Sequence, residues 1–226
     1  MQKLVFAPVS CVLLAVISAM PAFAEDASSI FASPCAEWKP TVAIDMEALD
    51  KLKKSAASEK PASGQSYTKN QFVVLLGKNP VAAKDALANY KDKLPKTREG
   101  KVDLRDVTLN GFNLTGFNLD NVDFKDAEMT SVNLSGSTLR GAALHKTTLN
   151  NANLNNANLS FANVSGAKLA NASLCNATLT SVEFEDAVLK GAYLKDAKLD
   201  MAKNLPKIIY LNAENLLHFG LPVPEN

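Results

Sequence analysis

From Leu104 to Leu199 an apolar residue returns at every fifth position without a slip, and neither an ordinary helix nor a flat strand can bury such a series on one side. The series is Leu104, Leu109, Leu114, Leu119, Phe124, Met129, Leu134, Leu139, Leu144, Leu149, Leu154, Leu159, Val164, Leu169, Leu174, Leu179, Phe184, Leu189, Leu194 and Leu199. Five helical steps of about 100° would rotate each leucine by about 140° and scatter the set around the axis. On a strand, an odd spacing sends successive side chains to opposite faces. A chain that turns one corner per repeat brings all of them to a single interior.

Two neighbouring positions agree with that geometry. Residues two apart on an extended segment share a face, and two places before each central residue the chain carries Val, Ala or Phe from Val102 to Ala197, with only Ser137 and Thr147 polar. Two places after it stand turn formers such as Gly111, Gly116, Asn121, Asp126, Gly136, Gly141, Asn151, Asn156, Gly166, Asn171 and Gly191, suited to a bend. Segments such as Ala-Asn-Leu-Asn-Asn at 152–156 and Ala-Tyr-Leu-Lys-Asp at 192–196 resemble the pentapeptide-repeat consensus. The resemblance covers residues 102–201. It implies an all-β solenoid, a right-handed quadrilateral β-helix with four pentapeptides per coil. Twenty repeats then make about five coils, roughly 24 Å long at the strand spacing.

The first residues look like an address. Lys3 precedes an apolar stretch from Leu4 to Ile17, and Ala22, Phe23 and Ala24 form a small-x-small site. Residues 1–24 are expected to be a signal peptide cleaved after Ala24, leaving a periplasmic or secreted protein with no stable membrane span. Cleavage removes Cys11 and leaves Cys35 and Cys175 in an oxidising compartment. A bond between them would pin the N-terminal segment along the rod, and two unpaired or intermolecular thiols are the equal alternative. Cys175 follows Leu174 and is expected to point outward from the fourth coil.

Residues 25–100 form a helical N-terminal segment and linker. Val42, Met46, Leu49 and Leu52 have helical spacing over 41–55, and residues 55–65 read as a flexible linker. Thr68 and Gln71 have capping-box spacing, Gly77 is placed to stop that helix, and Asn79–Pro80 opens another running to about Lys91. These pieces are too small for their own core and are expected to cover the open first coil. The rod spans 101–201. Residues 202–226 form a C-terminal cap, with a short helix from about Ala213 to Phe219. The cap is expected to shield the last coil, and C-terminal modules of some family members form a homodimer contact, which is the competing role.

Function must then lie on the outside of the rod. One face carries Arg105, Lys125, His145, Ser165 and Glu185 with Asp103, Asp123, Ala143, Asn163 and Glu183. Another carries Asn113, Asn133, Asn153, Ser173 and Tyr193 with Thr115, Ser135, Asn155, Cys175 and Lys195. The second is neutral, and its amides are expected to bond between coils and at corners. Residues 101–201 hold eleven Asp and Glu against nine Lys and Arg, a balance of two negative charges. Quinolone-protecting members of the family resemble duplex DNA through a strongly acidic surface, and a near-neutral exported rod lacks the dense negative array such mimicry needs. Nucleic-acid binding is equally unsupported.

GxSxG, Walker, HExxH and paired CxxC motifs are absent. His145 and His218 lack a third metal ligand in the sequence, and Asp103 with Asp123, or Glu183 with Glu185, read as solvated charge rather than paired catalytic acids. No catalytic, cofactor-binding or metal residue is assigned. The reading is a non-enzymatic protein-interaction or scaffolding element of the bacterial cell envelope with an unknown protein partner. Its rivals are an inhibitor or protector of an enzyme by surface mimicry, marked by a contiguous acidic or apolar face, and an enzyme with a pocket near Cys35.

Overall fold

Backbone pairing with a register of twenty residues organises the molecule. In the computed structural model, which describes residues 38–55 and 65–204, parallel bridges join Thr108 to Glu128, Glu128 to Thr148, Thr148 to Lys168 and Lys168 to Val188, and the same step repeats on three further sides. Among the described residues only two stretches extend to true strands, β1 (Val102–Asp103) and β2 (Val122–Asp123), paired in parallel. Elsewhere each side of a coil is too short for more than one bridge before the chain bends.

The bends explain the five-residue period. The N–H of Phe112 donates to the carbonyl of Leu109, closing a four-residue turn whose third residue, Gly111, has φ of +70°, as a type II turn requires. The residue two after every central position, from Asp106 to Met201, is left-handed in the same way. Four such corners in twenty residues make the coil four-sided, an all-β quadrilateral solenoid.

The interior follows. Nineteen of the twenty central side chains, Leu104 through Leu194, are buried, and Leu199 is partly exposed. Ser137 and Thr147 are buried with them. Their hydroxyls donate to the carbonyls of Leu134 and Phe124, which removes the penalty of an unpaired polar group. Among the described residues no buried side-chain nitrogen or oxygen lacks a partner.

Among the described residues three helices precede the rod: α1 (Met46–Ser55), α2 (Lys69–Lys78) and α3 (Pro80–Asn89), with a 3-10 turn at Lys91–Lys93. The capping box of α2 is complete in both directions between Thr68 and Gln71, and Asn79 caps α3 through the N–H of Ala82. Three expectations need correction. First, α1 starts at Met46 rather than near Thr41, because the carboxylate of Asp45 accepts the N–H of Ala48 as a cap and the chain before it runs along the rod instead. Second, Gly77 does not stop α2. It lies inside the helix because a side chain there would meet Leu49 Cδ1 at 2.6 Å and the Phe112 ring at 3.1 Å. Third, α3 ends at Asn89 rather than Lys91.

The helices pack on the first coil. Lys84 Nζ lies 4.9 Å over the Phe117 ring, Lys69 Nζ donates to the carbonyl of Arg105, and Lys96 bridges antiparallel to Val102. The expected linker lies mostly outside the described residues, as do the stretches expected to form a signal peptide and a C-terminal helix. Among the described residues no helix is long and apolar enough to cross a membrane.

Candidate interaction surface

Most outward polar groups are engaged by the rod itself. Asn113, Asn133, Asn153, Asn158 and Asn163 each accept the N–H two residues on. Asn110, Asn150 and Asp120 accept N–H groups of the next coil at Thr130, Ala170 and Arg140. These bonds tie coils and corners together.

The pair Asp103 and Asp123 is not a pair of catalytic acids, because Arg105 stands between them. Its guanidinium donates to both oxygens of Asp103 at 3.0 and 2.9 Å and lies 3.9 Å from Asp123. Lys69 of α2 approaches Asp103 at 3.1 Å. The Arg105 hydrogen bond holds the Asp103 carboxyl well below the usual carboxylate range; burial opposes this and Lys69 adds to it. Such a carboxylate contributes stability that is complete above the unfolded Asp value of about 3.9 and is lost as pH falls through the lower folded value. Asp103→Asn should therefore cost about 1–2 kcal/mol at neutral pH, and urea melts of the two proteins should converge below about pH 4. An unchanged gap at low pH would contradict the pairing.

His145 lines a shallow hollow of about 340 Å³ with Lys146, Asn163, Ser165, Gly166, Glu185 and Asp186. Among the described residues no three His, Cys, Asp or Glu side chains are grouped to hold a metal. Glu183 accepts from Asn204. His218 lies outside the described residues.

The surface has two unlike corners. Along one, the residues before α1 form a strap. A Cβ at Gly111 would meet the backbone of Val42, Ala43 and Ile44; Thr41 bonds Ser131 through backbone and hydroxyl; and Trp38 Nε1 donates to the carbonyl of Asn151 at 2.9 Å. Gly111, Ser131 and Asn151 are stacked corners of successive coils. Sequence reasoning missed this strap, since its partners lie 90 and 113 positions away and leave no local pattern.

Cys175 is the other departure. It was expected to point to solvent, yet it is fully buried and disulfide-bonded. Its neighbours on the same face, Asn153, Asn155 and Ser173, are buried too, while Asn113, Thr115 and Lys195 of that face are exposed. Asn155 Oδ1 accepts from both the Ser173 hydroxyl and the Cys175 N–H. Cys35 lies outside the described residues.

The diagonally opposite corner, two pentapeptides on, carries Asn121, Gly141, Phe161, Ser181 and Met201. Phe161 and Met201 are 62% and 81% exposed and hold φ of +63° and +55°. Bulky residues in this region are strained. Around Phe161 the rod is almost uncharged: residues 142–181 contain only Lys146 and Lys168 among Lys, Arg, Asp and Glu.

Comparison with known proteins agrees with the repeat. Residues 103–141, 139–174 and 167–202 match the family model described as pentapeptide repeats, with eight copies. Among solved structures, the chain is 37% identical to the pentapeptide repeat protein Rfr23 of the cyanobacterium Cyanothece 51142, over 43% of this chain and 63% of that one, with a TM-score of 0.29. It is 32% identical to a pentapeptide repeat protein of the Arabidopsis thaliana thylakoid lumen, over 39% of this chain and 66% of that one, with a TM-score of 0.24. The chain thus spans less than two thirds of either protein. No curated protein matches its sequence.

Proposed function

Residues 103–202 place the chain in the pentapeptide-repeat family, whose members fold as right-handed quadrilateral β-helices, and from this premise we propose that the protein is a non-enzymatic interaction element of the cell envelope. Its rod of about five coils, with helices packed on the first of them, serves as a rigid spacer. It acts in the periplasm or outside the cell. The signal-like start of the chain and the oxidised state of Cys175 support that location.

The observation that carries the reading is Phe161. Most equivalent corners hold Gly, Asn or Asp, which enter the left-handed region readily. A phenylalanine there contributes little to the interior and presents its ring to solvent in a charge-poor belt. Aromatic anchors surrounded by uncharged surface are the usual centre of protein interfaces, so the partner is a protein with an apolar pocket rather than a polyanion. The rod's balance of eleven acidic against nine basic residues also gives DNA mimicry no support, although the structurally similar QnrB1, 17% identical, is described as a plasmid-mediated fluoroquinolone resistance protein.

Phe161→Asn separates stability from recognition. It should leave melting unchanged or raise stability by about 0.5–1 kcal/mol, because Asn tolerates the corner better. Crosslinking in intact cells from a photoreactive side chain at the exposed Asn163, on the side that leaves this corner, should capture a discrete partner with the wild-type corner. Capture should fall about tenfold or more with Phe161→Asn. Equal capture by both proteins would sink this assignment.

A further inference from the structure

We propose that the partner of the Phe161 corner is a second copy of this chain, docked antiparallel along the same corner about a two-fold axis that passes between the third and fourth coils. The proposal rests on the reading of Phe161 as a protein contact and names what supplies the other half. The corner consists of two columns, one residue apart in sequence: Asp120, Arg140, Ser160, Thr180 and Asp200, and beside them Asn121, Gly141, Phe161, Ser181 and Met201. Each step along a column is one coil, about 4.8 Å.

A two-fold axis lying in the contact plane and across the rod reverses the rod direction and lays each column on itself. The second coil then meets the fifth, and the third meets the fourth. Large side chains meet small ones. The exposed Phe161 faces the half-buried Ser181 of the second copy, and the exposed Met201 faces Gly141. At Gly141 the corner has no side chain of its own; only the Asn121 amide leans over it, with Oδ1 2.7 Å from where a Cβ would stand. The two Phe161 rings flank the axis one coil apart, about 5 Å along the rod, a separation at which aromatic rings pack.

Charges meet their opposites under the same operation. Arg140 faces Asp200 of the second copy, once on each side of the axis. Within one chain these residues stand three coils apart, about 14 Å. Arg140 engages the rod through its N–H to Asp120 and its carbonyl to the N–H of Asn121, and Asp200 through its carbonyl to the N–H of Ser181. Among the described residues no ion pair holds the guanidinium of the one or the carboxylate of the other. Between them lies the charge-poor belt 142–181, which the axis bisects. On its flanks Asn158 faces Thr178 and Asn163 faces Glu183, so no like charges meet there.

Other registers lose this fit. Moving the axis one half-coil to Phe161 sets ring against ring tip to tip and Asp120 against Asp200. Moving it to Ser181 sets Phe161 against Met201, which holds the backbones apart, and removes Asp200 from Arg140. A parallel pair brings Arg140 beside Arg140 and Asp200 beside Asp200. Like-charge juxtaposition of this kind disfavours a register strongly.

The full chain, exported and purified, should show a monomer–dimer equilibrium by sedimentation between about 1 and 500 µM, because one corner buries less than the roughly 800 Å² per partner of a tight interface. Phe161→Asn should weaken association by about tenfold or more. Arg140→Glu and Asp200→Lys, each alone, set like charges face to face and should weaken it by about tenfold or more. Mixed one to one, these two variants should associate as the wild type does, since both charge contacts of the mixed pair are opposite in sign. A contact through the C-terminal residues predicts no such recovery. A wild-type chain that stays monomeric throughout, a dimer indifferent to Phe161→Asn, or single variants whose mixture recovers nothing would overturn the second copy as partner. Crosslinking from Asn163 should give a species of twice the chain mass. Phe161-dependent capture of a different protein would overturn the self-pairing while upholding the corner as an interface, whereas capture equal with and without Phe161 removes the interface itself.

Discussion

Leu154→Asp should abolish folding of the rod. Leu154 stands in the column Leu114, Leu134, Leu154, Leu174 and Leu194, and all five are buried. A carboxylate there has no cation, hydroxyl or N–H to meet, since the backbone donors nearby are spent between coils, as when the N–H of Leu154 bonds the carbonyl of Ser173. Leaving a charge unpaired in such a place costs more than about 4–5 kcal/mol, a large part of a whole domain's stability. Leu154→Asn keeps the shape without the charge and should be less damaging, within the range of about 2–5 kcal/mol of a leucine lost from a core. The two variants differ in pH response. Burial raises the pKa of the introduced Asp in the folded state, so its charge penalty is absent below the unfolded value of about 3.9 and grows as pH rises. Far-UV circular dichroism should show the Asp protein unfolded at neutral pH and approaching the Asn protein in acid. A wild-type spectrum and urea melt for Leu154→Asp at neutral pH would mean that this column does not point inward.

Much of this architecture was legible because it is written with one strict period. Central leucines, small residues two before and turn formers two after are each a local demand of a corner, and the twenty-residue register multiplies each demand through the stack. The helix starts at Thr68 and Asn79 were legible for the same reason: a cap needs only residues three apart. What escaped depends on partners far along the chain. Nothing near Trp38 or Thr41 announces a contact with Asn151 or Ser131, and nothing near Cys175 announces that an outward position is covered. Gly77 misled because a glycine near a helix end resembles a stop, while its purpose here is to admit Leu49 and Phe112. Corners held by Ser131, Lys146, Phe161, Ser181 and Met201 contradict local preference; the register of the coils above and below overrides it. Where that override leaves a large apolar group in solvent, at Phe161, the cost points to a use outside the fold.

Gly111→Val tests whether the strap is held by its seat on the corner. Two costs add at this position. A β-branched residue at φ of +70° is strained by about 1–2 kcal/mol. Its Cβ would also stand 2.5 Å from the carbonyl oxygen of Val42, 2.6 Å from the carbonyl carbon of Ala43 and 2.8 Å from the nitrogen of Ile44, and backbone atoms on both sides leave no rotamer by which to escape. The rod is fixed by its interior, so the strap must lift, and α1 is drawn away with it because only Asp45 separates Ile44 from the first residue of that helix. The combined loss should be about 3 kcal/mol or more. Gly136→Val supplies the control, since its φ of +63° imposes the same backbone strain but nothing lies within 4 Å of the added carbon; it should cost only about 1–2 kcal/mol. Trp38 is the single tryptophan of the chain, so its emission reads the strap directly. Emission should shift to the red in Gly111→Val and stay unchanged in Gly136→Val. Equal emission in the two variants, with equal melting, would mean that the strap is not seated on the corner.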